Sequence, residues 1–117
     1  MFPFGTIVLA RFPFTDLSGA KRRPALVVSR DNDRRSDLVL CFITSAARSD
    51  ADMAVIEASP ETGLKTSSMV RFDKLATLNR TVISGKLGEA SAAWLIANRR
   101  KFFGVFGFAP LSFGVSD

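Results

Sequence analysis

Two residues spaced for chemistry, Arg71 and Asp73, lie in the run Ser67-Ser68-Met69-Val70-Arg71-Phe72-Asp73. Their spacing is the period of a β-strand, in which alternate side chains share a face. A guanidinium and a carboxylate would then stand side by side about 6.5–7 Å apart along the backbone, with Phe72 turned the other way into a core. Such a pair can hold and neutralise a phosphodiester. It can equally be a solvent-exposed ion pair of small energetic worth, and charge patterning alone fits both readings.

A second constellation needs two other strands. Arg23 precedes Pro24, and a residue before proline is pushed out of the helical region, so Arg23 should enter its strand extended and remain at the sheet rim. Read by spacing alone, it is also one member of a solvated basic turn, Lys21-Arg22-Arg23. Thr44 and Ser45 end the apolar run Leu38 to Ile43. Their hydroxyls can donate to a phosphate oxygen or close the strand by bonding nearby backbone.

Missing residue types narrow the mechanism further. The chain has no His and no Tyr, so proton transfer falls to Asp, Glu, Lys, Arg, the single thiol or a hydroxyl. Histidine-based RNA cleavage is excluded, and a zinc site has no plausible ligand set. Cys41 is the sole cysteine, sits within Leu38 to Ile43, and reads as a small buried hydrophobe suited to a reducing compartment.

The elements that must position these groups are legible in the apolar pattern. Thr6 to Phe12, Pro24 to Arg30 and Asp37 to Thr44 read as strands, separated by turn compositions around Asp16-Leu17-Ser18-Gly19 and Asp31-Asn32-Asp33. Their near-continuous apolar character predicts burial on both faces. Met53 to Ala58, Ser67 to Phe72 and a weakly alternating stretch from Thr81 to Gly88 add three more, with a loop at Ser59 to Gly63. That number of short strands favours a small barrel. Ser91 can cap a helix over Ala92 to Phe103, in which Leu95 and Phe102, then Ile96 and Phe103, repeat at helical spacing. The Phe- and Gly-rich tail, 104–117, has no readable role.

At 117 residues, 47% hydrophobic with 11 Phe, the chain predicts one domain with its own core. Its formal charge of +5 and pI near 10.1 favour a polyanionic partner, nucleic acid first, or simply keep a small protein soluble. No charged leader precedes the short N-terminal apolar stretch, and the tail falls short of a spanning helix, so neither export nor membrane insertion is expected and a cytoplasmic location follows.

The order and wording of four blocks carry a resemblance: Gly5-x-Ile-Val with Phe12-Pro13-Phe14, Lys21 to Ser29 (KRRPALVVS), Ile43-Thr44-Ser45, and Ser68 to Leu78 (SMVRFDKLATL). Together they resemble the MazF/PemK family of toxin endoribonucleases, from about Gly5 to Trp94. The resemblance implies a mainly β, small SH3-like barrel of the CcdB/MazF/PemK type with a C-terminal helix. It implies a homodimer that cuts single-stranded RNA without metal or other cofactor, and that is neutralised by a cognate antitoxin. It makes Arg23 and Thr44 catalytic, with Arg71 and Asp73 part of the cleavage site as in some PemK-type members. Candidate RNA-binding residues are Lys21, Arg22, Ser45, Arg30, Arg34 and Arg35. The chain departs from certain relatives in lacking a histidine in the loop after the first strand, where it has Thr15-Asp16-Leu17-Ser18; Asp16 there is either a turn former or a substitute. Two alternatives stand beside this reading: a barrel that only binds RNA or protein, and a gyrase poison of the CcdB type. The latter acts through a Trp-Gly-Ile ending, whereas Trp94 is followed by Leu95 and the chain ends Gly114-Val115-Ser116-Asp117.

Overall fold

Runs of Val, Ile and Leu broken by Gly, Asp and Pro produce six strands and one helix in the computed structural model, which describes residues 2–11, 22–30, 36–45 and 50–108. The strands are β1 (Thr6–Arg11), β2 (Arg22–Val27), β3 (Asp37–Thr44), β4 (Met53–Ile56), β5 (Ser68–Asn79) and β6 (Ile83–Glu89), followed by α1 (Ala92–Phe103). They form one antiparallel sheet in the order β4-β5-β3-β2-β1-β6.

The two edge strands are brought together at one end by the loop after β4. Glu89 N–H donates to Glu61 O at 2.8 Å, and Thr62 Oγ1 holds the loop by donating to Glu57 O at 3.0 Å and accepting from Ser59 N at 3.1 Å. Gly63 adopts φ 71° there, and a side chain on it would collide with the Leu87 carbonyl of β6. The sheet therefore curls into a barrel with both faces of its central strands buried. One cluster holds Ile7, Leu26, Cys41, Ile43, Ala54, Ile56, Val70 and Phe72. The other, on the opposite face, holds Val8, Ala10, Ala25, Val27, Leu38 and Leu40.

The sequence reading needs three corrections here. β2 begins at Arg22, so Arg23 lies within the strand, opposite Ala10 of β1, and not just before it. β5 does not stop at Phe72 but runs to Asn79. Its polar tail, Thr77 and Asn79 exposed between half-buried Ala76 and Leu78, is held by backbone pairing with the first half of β3. Finally, Ile96 and Phe103 do not face the core: they are 60% and 59% exposed, while Leu95 and Phe102 pack against it. The pairs are one residue apart, about 100° round the helix, so only one of them can meet the barrel.

Helix α1 is capped by Ser91 Oγ, which accepts from Trp94 N at 3.0 Å. It also covers the free edge of β4. The Trp94 indole donates to Val55 O at 2.8 Å and Lys101 Nζ to Met53 O at 3.0 Å, supplying to edge carbonyls what a neighbouring strand would. Among the described residues no helix is long and apolar enough to cross a membrane. Residues 109–117 of the tail lie outside those described; before them, Phe106 packs edge-on to Phe102 with ring centroids 5.3 Å apart, and Phe108 is 80% exposed.

Candidate functional site

The third strand is the centre of the arrangement. On its neighbour β5, the register jumps from Cys41↔Leu75 to Phe42↔Arg71, a shift that falls at Phe72, Asp73 and Lys74. This irregularity sits where β5 passes from pairing with β3 alone to pairing with both β3 and β4, since Arg71 is also opposite Met53. Irregularities of this kind re-aim side chains. Phe72 turns inward and is 3% exposed. Asp73 turns outward and meets Arg71 in a bidentate pair: Nε to Oδ1 at 3.3 Å and NH2 to Oδ2 at 2.9 Å.

On the other side of β3, the ladder with β2 runs Val27↔Leu40, Leu26↔Cys41 and Ala25↔Phe42, then stops at Pro24, which has no N–H to donate. Continuing that register by two residues sets Arg23 across from Thr44, and residues opposite each other in an antiparallel pair project to the same face. Arg23 shows this directly. Its guanidinium lies over the Phe42 ring, 5.5 Å from the centroid, close enough for a cation–π attraction. Its Nε is buried and makes no hydrogen bond among the described residues. Phe42 is thus flanked by Arg23 on one side and by its cross-strand partner Arg71 on the other. Neither the charge pattern nor the motif spacing singled out Phe42; its alternation with Thr44 on an apolar strand was the available signal.

Cys41, on the opposite face, is fully buried. Burial pushes its thiol up to about 12, and the negative charge of Asp73 adds to the effect. It is a neutral packing group, as its surroundings on β3 suggested.

Where β2 and β3 part beyond Pro24, a cavity of about 430 Å³ opens at the end of the barrel. Arg23, Pro24, Ile43 and Ser45 line one side of it, and Gly63, Leu64, Lys65, Thr66, Ser68 and Leu87 the other. Thr44, Arg71 and Asp73 do not line it. The sequence-chosen residues therefore fall into groups: Arg23, Thr44, Arg71 and Asp73 share one face of the sheet around Phe42, and Ser45 opens onto the adjoining cavity. Arg22 is exposed at the same strand end. Arg30 is exposed beyond the opposite end of β2, on the order of 20 Å away at strand rise, and does not join them. Lys21, Arg34, Arg35 and Asp16 lie outside the described residues. Among the described residues no group of three or more His, Cys, Asp or Glu is placed to hold a metal ion.

The profile of the PemK-like, MazF-like toxins of type II toxin–antitoxin systems matches residues 4–102. The chain belongs to this family. Solved structures of MazF-like proteins share its fold. An endoribonuclease in complex with its cognate antitoxin from a mycobacterial species superposes with a TM-score of 0.74 at 21% identity, covering 92% of this chain and 96% of that one. MazF from Deinococcus radiodurans gives 0.72 at 27% identity, with coverages of 90% and 96%. A MazE–MazF complex from the same organism gives 0.69 at 28% identity, with coverages of 90% and 94%. Among curated proteins none matches the chain in sequence. The expected fold, a mainly β small barrel with a C-terminal helix, is the MazF-like fold found here, built from six antiparallel strands.

Proposed function

We propose that this MazF-like toxin is an endoribonuclease that cuts single-stranded RNA by transesterification, with no metal, and that a cognate antitoxin neutralises it. The supporting observation is the face around Phe42. It carries a guanidinium at position 23 whose buried Nε has no acceptor among the described residues, the Thr44 hydroxyl, and a carboxylate paired with Arg71. A buried donor without an acceptor costs about 1–3 kcal/mol, a cost that a substrate phosphate oxygen would relieve.

In this reading the ribose 2′-hydroxyl attacks the adjacent phosphorus, and Asp73 accepts its proton. The bond to the 5′-oxygen breaks, and that oxygen leaves as a hydroxyl after taking up a proton from water. The products are a 2′,3′-cyclic phosphate and a 5′-hydroxyl end. Arg23 and Thr44 hold the non-bridging oxygens and stabilise the charge that develops on them. Arg71 orients Asp73 and is the charge partner of the leaving oxygen. It is a poor proton donor, because a guanidinium stays protonated at neutral pH. DNA lacks the attacking group and would not be cut. The protein would act as a homodimer in the cytoplasm, with the antitoxin covering the basic surface by a segment that folds as it binds. The MazF-like relatives solved with antitoxins support that partner.

The gyrase-poison alternative meets an obstacle in the fold. Trp94 is not at a free tip; its indole bonds Val55 O and its ring packs 6.2 Å from Phe72. Incubating the purified protein with a long RNA in EDTA and mapping both ends tests the proposal. Discrete cuts bearing cyclic phosphate and 5′-hydroxyl ends are expected. Intact RNA at stoichiometric protein would refute it.

A further inference from the structure

Beside the cavity at the end of the barrel stand cations that the catalytic assignment does not use. Leu9 of β1 and Pro24 of β2 are directly opposite each other, and both line it. The next pair on that same face, two residues further along, is Arg11↔Arg22. Both arginines are exposed, and neither makes an ion pair with a described residue. Like charges directly opposite in a sheet are destabilising, and no carboxylate among the described residues pairs with either. Across the cavity, Lys65 adds a third cation and Thr66 and Ser68 add hydroxyls, with a further hydroxyl from Ser45 on the near side. Ser68 Oγ spends its proton on Thr66 O at 2.9 Å, which leaves its lone pairs to accept from a ligand. The floor is apolar: Leu9, Ile43, Leu64 and Leu87. A volume of about 430 Å³ lies within the usual range of small-molecule sites.

We propose that this cavity is a nucleotide subsite. It would seat one nucleoside of the RNA strand flanking the cleaved bond, with that strand's phosphates on the Arg11–Arg22 pair and Lys65. The apolar floor suits the faces of a base, the hydroxyls suit its polar edge, and the paired guanidiniums suit a phosphate that neutralises both. Arg23 links the two regions, since it lines the cavity while its guanidinium lies over Phe42 on the other face. A strand crossing the rim at β2 would therefore pass from subsite to scissile phosphate. This rests on the ribonuclease reading for its role in cleavage, but not for binding.

The test compares wild type, the double variant Arg11→Gln/Arg22→Gln, Lys65→Gln, and Arg99→Gln on α1 as a control. Binding of a non-cleavable 2′-O-methyl oligonucleotide is followed by fluorescence anisotropy across salt concentrations, and cleavage of the matching RNA gives kcat and KM. Each lost phosphate contact on a single strand should flatten the plot of log K against log salt by about 0.7. The double variant, whose two arginines share one phosphate, should thus lose about 0.7 of slope, and so should Lys65→Gln. KM should rise about tenfold for the double variant with kcat within about twofold, because the contact is uniform between ground and transition states. Removing the like-charge pair should leave thermal unfolding unchanged or raise it. If wild type cuts RNA but the slope and KM of both variants match it, the subsite is wrong and the ribonuclease reading survives. If wild type cuts nothing while the slopes still fall, the nuclease reading fails and the cavity stands as an RNA-binding site.

Discussion

Arg23 should be a residue whose removal abolishes activity without harming the fold, and the structure supplies the magnitudes. Its Nε is buried without a hydrogen bond among the described residues, a penalty of about 1–3 kcal/mol in the free protein. Against this stands the contact of its guanidinium with Phe42 at 5.5 Å, which returns about 0.5–2 kcal/mol. Arg23→Met removes both while keeping an unbranched stem to pack at the strand end. The two nearly cancel, so stability should change by less than about 2 kcal/mol, a shift in Tm of under about 8 °C for a domain of this size. Cleavage should behave very differently. Losing a preorganised donor to a developing oxyanion costs about 100- to 1000-fold in rate. Arg23→Lys keeps the charge but loses the fork, and should recover only part of that loss. The assay pairs thermal unfolding by circular dichroism with single-turnover cleavage of an end-labelled RNA. A folded Arg23→Met protein retaining more than a tenth of wild-type activity would refute the role of Arg23. A Tm drop beyond about 10 °C would show instead that the guanidinium is part of the fold.

Asp73→Asn keeps the shape of the bidentate pair but removes the base. Cleavage should fall about 100- to 10,000-fold with less than about 1 kcal/mol lost in stability, and unchanged single-turnover rates would move the base elsewhere. Gly63→Ala forces a side chain into φ 71° and against the Leu87 carbonyl, so it should destabilise by more than about 2 kcal/mol in a denaturant melt; a wild-type midpoint would mean that the loop joining the barrel edges relaxes freely. Cys41 has a folded value raised from 9.0 to about 12, so the stability tied to its neutral thiol is complete below about pH 9 and is lost as the pH climbs from there toward 12. Cys41→Ala should flatten that alkaline decline, and the native thiol should resist alkylation at pH 8; rapid labelling of the folded protein would contradict its burial.

Strand positions and the faces of Arg71, Phe72 and Asp73 were readable from the chain because alternation is local. Val, Ile and Leu between turn residues leave few other ways to bury a side chain. The Ser91 cap was readable for the same reason, since capping joins residues three apart. Family wording singled out Arg23 and Thr44, which lie far apart in sequence. Phe42 and Arg11 escaped notice. A phenylalanine in an apolar strand looks like any other, and an arginine at a strand end looks like solvation, until cross-strand register shows what stands beside them.

The amino-acid order by itself thus determined a basic, histidine-free, β-rich chain whose elements alternate at fixed periods, and it limited the chemistry to carboxylate, ammonium, guanidinium and hydroxyl groups and one thiol. Tertiary structure alone decided what those groups meet. The placing of Arg23 over Phe42, the parting of β2 and β3 past Pro24 that opens a cavity, and the choice of Leu95 and Phe102 over Ile96 and Phe103 all depend on pairing between distant segments. Local propensity fixes backbone direction residue by residue, whereas register and burial are settled only when the sheet curls and each strand competes for the same core.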